Sequence, residues 1–174
     1  MRLLLYSLIA CSISCASLSV RGACGVELRG DWFAQHVEPE AIDASTALDR
    51  DTLDRAVNAA LDAATFTTDF RLMDQTENCK ALDGLRVFTV QEPSFTLSTG
   101  RVVNGVSDCL GHYVLVGTPT DGAPWSHSAL VHEFLHAMQQ CSPPLPIDDR
   151  LDADHANWKR DHFYDAIDRS RGTW

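Results

Sequence analysis

The chain has 174 residues, of which 45% are hydrophobic and 22% charged. This length allows one ordinary domain with a real core, and the composition argues against a disordered or low-complexity protein. The formal net charge of −10 repels phosphate backbones and anionic lipid surfaces. We therefore expect no nucleic-acid partner.

Residues 1–22 are typical of an export signal, because Arg2 is followed by apolar and small residues without a charge until Arg21. The stretch is short and rich in Ser for a transmembrane anchor. Cleavage after Ala16 or after Gly22 fits, and "LIAC" at 8–11 resembles a bacterial lipobox. We expect an exported protein, in a bacterial periplasm or outer envelope or secreted, that contacts a membrane only through a lipid anchor, if it carries one. Residues 23–174 would form a single domain.

The segment after the signal is irregular, with at most one brief strand. Regular structure is predicted next, since apolar residues recur at helical spacing from Ser45 to about Thr65, with Ser45 or Thr46 as N-cap. Four segments rich in Val, Thr, Phe and Tyr follow as strands of one small sheet. They are 85–91, 94–99, 101–107 and 112–118. Two further helices are predicted, from about Trp125 to Gln140 and from about Asp154 to Arg169.

The cysteines indicate an oxidising compartment. If Cys11 and Cys15 leave with the signal, or if Cys15 is the lipidated residue, an even set of four remains, which suits two disulfides. The set is Cys24, Cys79, Cys109 and Cys141. Sequence does not choose among their three pairings, and lipidation of Cys11 would leave one thiol odd. A cysteine zinc site is disfavoured because no two of the four have the close spacing of a zinc knuckle.

The predicted helix "ALVHEFLHAMQQC" at 129–141 contains the candidate metal ligands and the candidate catalytic base. His132 and His136 are four residues apart, so both imidazoles can meet one tetrahedral ion. Glu133 is turned about 100° from His132, which suits a base beside a metal-bound water rather than a ligand. The surrounding residues are uncharged, and a buried His-Glu-His cluster without a partner would be costly. A helix that merely contains two partly buried histidines is the alternative.

"ALVHEFLHAM" resembles the extended HExxH signature of the zincin metallopeptidases. The resemblance implies a small α+β domain in which a mixed or antiparallel sheet of three or four strands packs against an N-terminal helix, the HExxH helix and a C-terminal helix. It also implies one Zn²⁺, with Glu133 as general base. Zincins hold an extended peptide substrate along an edge strand before the active-site helix, and "HYVLVGT" at 112–118 has that place in the order of elements.

A catalytic zinc site needs a third protein ligand. The metzincin extension is missing, and no Glu follows Glu133, so the thermolysin-like ligand is missing too. We favour His155, because "DHANWK" resembles the His-then-Trp pattern of SprT-like and related small zincins, although the spacing differs. His162 is the reserve ligand or a group that stabilises an oxyanion, a role that Tyr164 could share. A surface histidine capped by Asp154 is the alternative for His155. The other candidate ligands are Asp148, Asp149, Asp152, Asp154, Asp161, Asp165 and Asp168.

The sequence therefore predicts an exported zinc metallopeptidase that acts on a peptide or protein substrate. The main rival is a binding or structural envelope protein or lipoprotein that keeps a zincin fold without turnover. A disulfide-stabilised domain without metal is the third hypothesis. Cleavage specificity and oligomeric state stay open.

Overall fold

The computed structural model describes residues 20–31, 48–64, 74–120, 123–125 and 129–140. They form a mixed α+β arrangement of three helices, a five-stranded sheet and a two-stranded sheet. The expectation of a small α+β domain is confirmed. The predicted C-terminal helix lies outside the described residues.

The elements follow in chain order. Strands β1 (Val20–Arg21) and β2 (Glu27–Asp31) flank a short 3-10 turn (Ala23–Gly25) and precede helices α1 (Arg50–Ala64) and α2 (Gln75–Leu82). Next come β3 (Arg86–Val90), β4 (Phe95–Thr96), β5 (Val102–Val103), β6 (Gly105–Asp108) and β7 (Tyr113–Gly117). Helix α3 (Leu130–Gln140) is the last described element.

The larger sheet has the strand order β1-β2-β3-β7-β6. Strands β2, β3 and β7 are parallel, whereas β1 and β6 pair antiparallel at the two edges. Strands β4 and β5 form their own two-stranded sheet. Our expectation of one sheet was therefore wrong for 94–99 and for the first part of 101–107, because the chain leaves β5 at Asn104 before it joins β7 as β6.

The expectation that "HYVLVGT" forms an edge strand was also wrong. Its strand, β7, lies inside the sheet, with β3 on one side and β6 on the other. Strand β7 is apolar on both faces, since Val114 and Val116 are buried under the helices and Leu115 is buried on the other side. Such a strand is typical of a sheet interior. The edge beside it is β6, whose residues are half-buried.

The helices cover one face of the sheet. Helices α1 and α3 pack against each other, and their buried side chains join those of β3 and β7 in the main core. Five alanines of α1 are buried in that core, and their small size lets neighbouring elements come close. A second, smaller cluster occupies the opposite face. It contains Phe88, Val90 and Leu115, with Phe95, Val106 and Tyr113 packed against it.

Helix α1 begins later than the sequence predicted. Its first residue is Arg50, and the Asp49 carboxylate accepts a hydrogen bond of 2.7 Å from the Thr52 amide. Asp49, rather than Ser45 or Thr46, is therefore the N-cap, because that bond satisfies one of the amides that a helix start leaves without a partner. Helix α3 also begins five residues later than expected, at Leu130 instead of Trp125.

Covalent and ionic links join β1 and the turn after it to α2. Cys24 of the turn is disulfide-bonded to Cys79 of α2, which confirms one of the two predicted disulfides and gives the pairing that the sequence left open. Arg21 donates to Asp83, just after α2, over 2.7 Å. A signal cleavage after Gly22 would remove β1, whereas one after Ala16 would keep it.

Cys109 follows β6 and is also disulfide-bonded. The three remaining cysteines, Cys11, Cys15 and Cys141, lie outside the described residues. Among the described helices, none is long and apolar enough to cross a membrane.

Candidate functional site

Helix α3 presents three ionisable side chains in an apolar setting. Leu130, Val131, Phe134, Leu135, Ala137 and Met138 are all buried around them. These residues hold the helix against α1 and the sheet, which fixes where the polar side chains point. The prediction that this helix is buried nearly all round is confirmed.

His132 and His136 converge as their spacing predicted. Their Nε2 atoms are 3.0 Å apart, and the ring planes are inclined by 73° with centroids 4.7 Å apart. At this distance either one ring donates an N–H to the other, or both lone pairs face one cation. A tetrahedral zinc ion with bonds of about 2.0–2.1 Å would hold two ligand nitrogens about 3.3 Å apart. The pair therefore fits two positions of a zinc site after a small adjustment.

Glu133 contacts strand β6. It is 5% exposed, and its Oε2 accepts a hydrogen bond of 2.9 Å from the Ser107 hydroxyl. The same Ser107 Oγ lies 2.8 Å from the main-chain oxygen of Glu133. The carboxylate is thus directed at the edge strand, which agrees with a role other than metal ligand.

Gly105 provides the space for this carboxylate. A Cβ at this position would lie 2.6 Å from Glu133 Cγ and 2.7 Å from its Oε1. Gly105 and Ser107 are two residues apart on β6, so they occupy the same face of the strand. The intervening residue, Val106, packs in the smaller apolar cluster on the opposite face.

Sequence reasoning missed both strand residues. The signal was present, since "GVSD" alternates two small residues with larger ones at the period of a strand. It could not be interpreted without the pairing of β6 with β7, because that pairing decides which face of β6 meets α3.

Beyond β6 the chain turns back through residues 109–112. Asp108 accepts hydrogen bonds from the amides of Leu110 and Gly111, and it lies opposite Tyr113 in the ladder. Burial, assisted by the negative charge of Asp108 and a hydrogen bond to it, raises the pKa of the Tyr113 hydroxyl above its usual value. Tyr113 therefore stays protonated at neutral pH, and the turn fixes the far end of β6.

Of the predicted metal ligands, the described residues include His132 and His136. No group of three or more His, Cys, Asp and Glu side chains suited to a metal occurs in the parts of the chain that the structure describes. His155, His162, Tyr164 and the seven candidate aspartates all lie beyond Gln140, outside those parts. The described site thus contains two candidate ligands, one candidate base and the strand that contacts the base.

Comparison of the chain with models of protein families, with curated proteins and with solved structures found no match in any of the three.

Proposed function

We propose that the protein is an exported zinc-dependent metallopeptidase. The observation that carries this proposal is the geometry on α3. Two imidazole nitrogens lie 3.0 Å apart, and the carboxylate between them in sequence is buried and accepts a hydrogen bond from Ser107. The pair His132 and His136 would bind zinc, with His155 as third ligand and His162 or an aspartate between 148 and 168 as the alternatives.

Zinc bound there would supply Lewis acidity toward a carbonyl oxygen and make a water more acidic. Residues of the chain would transfer the proton and stabilise the oxyanion. Glu133 takes a proton from the attacking water and later passes it to the leaving amine, which is the work of a general base that becomes a general acid. His162 and Tyr164 are the candidates to donate to the developing oxyanion.

Strand β6 is the expected platform for a peptide substrate. It is the last strand of the sheet in the described residues, and its helix-facing side contacts Glu133. An extended peptide that pairs with the outer edge of β6 would place its main chain near that carboxylate, by the strand addition that peptidases and other peptide-binding domains use.

The test compares wild type with Glu133→Gln and His132→Ala on a diverse peptide library, with zinc measured on the same samples. We expect about one zinc per wild-type chain, retention of zinc by Glu133→Gln, and a fall in hydrolysis of about 10²–10⁴ in that variant. His132→Ala should lose zinc and activity together because a ligand is removed.

Three outcomes would contradict the proposal. Wild type with well below one zinc per chain would remove the metal site. Wild type that binds zinc and cleaves nothing would favour the rival, a zinc-binding envelope protein without turnover. Equal hydrolysis by wild type and Glu133→Gln would remove Glu133 from the mechanism.

A further inference from the structure

Strand β6 contacts the carboxylate of Glu133 through two residues that no motif includes. Ser107 Oγ is 2.9 Å from Oε2, and a Cβ at position 105 would lie 2.6 Å from Glu133 Cγ, so the Glu133 side chain would have to shift. We propose that Ser107 is a positioning residue, which holds the Glu133 carboxylate in the orientation needed for proton transfer, with Gly105 providing the space for it. This inference rests on the proposed function of the same site.

The hydrogen bond is selective for one arrangement of the carboxylate. A serine hydroxyl has one proton, so Ser107 donates either to Oε2 or to the main-chain oxygen of Glu133 at any moment. The ionised carboxylate is the stronger acceptor, because charge-assisted hydrogen bonds are about twice as strong as neutral ones. The bond to Oε2 is therefore preferred while Glu133 is ionised, and it fixes the plane of the carboxylate.

Both partners are rigidly supported. Glu133 lies on a helix whose apolar side chains are buried, so its Cα cannot shift easily. Ser107 pairs with Val114, which is 0% exposed, in the ladder between β6 and β7. Since burial and strand pairing restrain both backbones, the position of the carboxylate depends mainly on the side-chain contacts. Loss of the hydroxyl should change the orientation of the carboxylate more than the fold.

The sequence gives an independent reason to assign this role. A Val or Thr at 105 would be ordinary in a strand, yet this position holds a Gly at which no positive φ requires one. A glycine in a strand often marks a close approach by another group. The group that approaches here is the Glu133 side chain, to which all three nearest heavy atoms belong.

The test uses the zinc-loaded mature protein and a peptide that wild type cleaves. The variants are Ser107→Ala, Ser107→Thr, Ser98→Ala as an exposed-serine control, and Ser107→Ala combined with Glu133→Gln. We expect Ser107→Ala to lower kcat by about 10–100-fold, the scale of a small misplacement of a reacting group, with KM and zinc content close to wild type. Ser107→Thr, which keeps a hydroxyl, should recover most of kcat, and Ser98→Ala should change nothing.

The combined variant separates positioning from packing. In the Glu133→Gln background, Ser107→Ala should lower kcat by less than about threefold, because the group it positions has already been replaced. An equal loss in both backgrounds, or loss of zinc by Ser107→Ala, would overturn the proposal. So would a kcat within about twofold of wild type in Ser107→Ala.

Two further outcomes are distinguishable. If wild type cleaves no peptide, both the proposed function and the positioning role of Ser107 are refuted. If wild type is active and Ser107→Ala is unaffected, the positioning role alone is refuted. If Ser107→Ala does not fold, Ser107→Cys replaces it, because a thiol has similar size and is only a weak donor. The same loss of kcat is then expected.

Discussion

At one edge of the five-stranded sheet, β1 and the turn after it are joined to α2 and to the residue that follows it. Its turn is disulfide-bonded to α2, and Arg21 forms an ion pair with Asp83. At the other edge, β6 presents Gly105 and Ser107 to a buried carboxylate. The first edge has contacts that stabilise the fold, whereas the second has small side chains that leave space for Glu133. Substitutions at the two edges test this difference.

The largest effect on stability is expected from the disulfide. Replacing Cys24 and Cys79 together by Ser should lower the free energy of unfolding by about 2–4 kcal/mol, because the bond closes a long loop in the unfolded chain. The sequence separation of the two cysteines is 55 residues. Denaturant unfolding measures the loss. Zinc content and hydrolysis by the folded fraction should stay at the wild-type level, and their loss would show that the two edges are not independent.

Gly105→Ala should have the next largest effect, and it acts at the opposite edge. The added Cβ would meet Glu133, and such overpacking costs about 1–3 kcal/mol. The cost should nearly vanish in a Glu133→Ala background, since the contacting side chain is then gone. Thermal unfolding of the single and double variants measures this coupling.

Gly117→Ala is the matched control for the comparison of Gly105→Ala with and without Glu133. Its Cβ would meet the main chain of Pro93 and Glu92 instead of a side chain. Its cost should therefore be the same with and without Glu133. Equal costs of Gly105→Ala in both backgrounds would mean that Gly105 does not serve Glu133.

The smallest effect is expected at Asp49, the N-cap of α1. Hydrogen bonds from the hydroxyl and the amide of Thr52 lower the pKa of the Asp49 carboxyl from 3.8. Because the folded pKa is below the unfolded one, this contribution to stability is present above pH ~4 and is lost as the pH falls through the folded pKa. Asp49→Ala should cost about 1 kcal/mol at pH 7.

The control for this cap is Asp49→Asn, which can still accept the hydrogen bond but does not titrate. It should keep most of the stability at pH 7 and show a smaller change between pH 7 and pH 3. Chemical unfolding at both values measures this. A gap between wild type and Asp49→Ala that stays constant down to pH 3 would mean that the cap does not depend on charge.

The sequence predicted those parts of the molecule that depend on local pattern. The helical spacing around His132 and the runs rich in Val at β3 and β7 identified buried elements correctly. Positions that face the core of a helix or strand hold apolar residues at a regular spacing, and this spacing can be recognised in the sequence. Helix α2 was missed. It has only eight residues and three buried ones, so its apolar period is weak, although Asp74 followed by Glu77 is a capping signal that could have indicated it.

The remaining errors concern pairing between distant segments. Nothing local in "HYVLVGT" distinguishes an interior strand from an edge strand, since that depends on whether β6 returns to pair beside it. The contact of Ser107 with Glu133 joins residues 26 apart and follows from the same pairing. The pairing of Cys24 with Cys79 likewise requires the positions of the turn and α2, which composition does not supply.

The disulfide also affects how easily the chain can reach its native topology. Glu27 pairs with Arg86 in the parallel ladder of β2 and β3, across most of the first half of the chain. Once the sulfurs are joined, Glu27 is three residues from Cys24 and Arg86 is seven from Cys79, so the effective loop shrinks from 59 residues to 10. By the usual logarithmic scaling, the entropic cost of the first parallel contact then falls by about 1.6 kcal/mol. Oxidation before folding should therefore speed the search for the correct sheet, because topologies with distant contacts fold slowly.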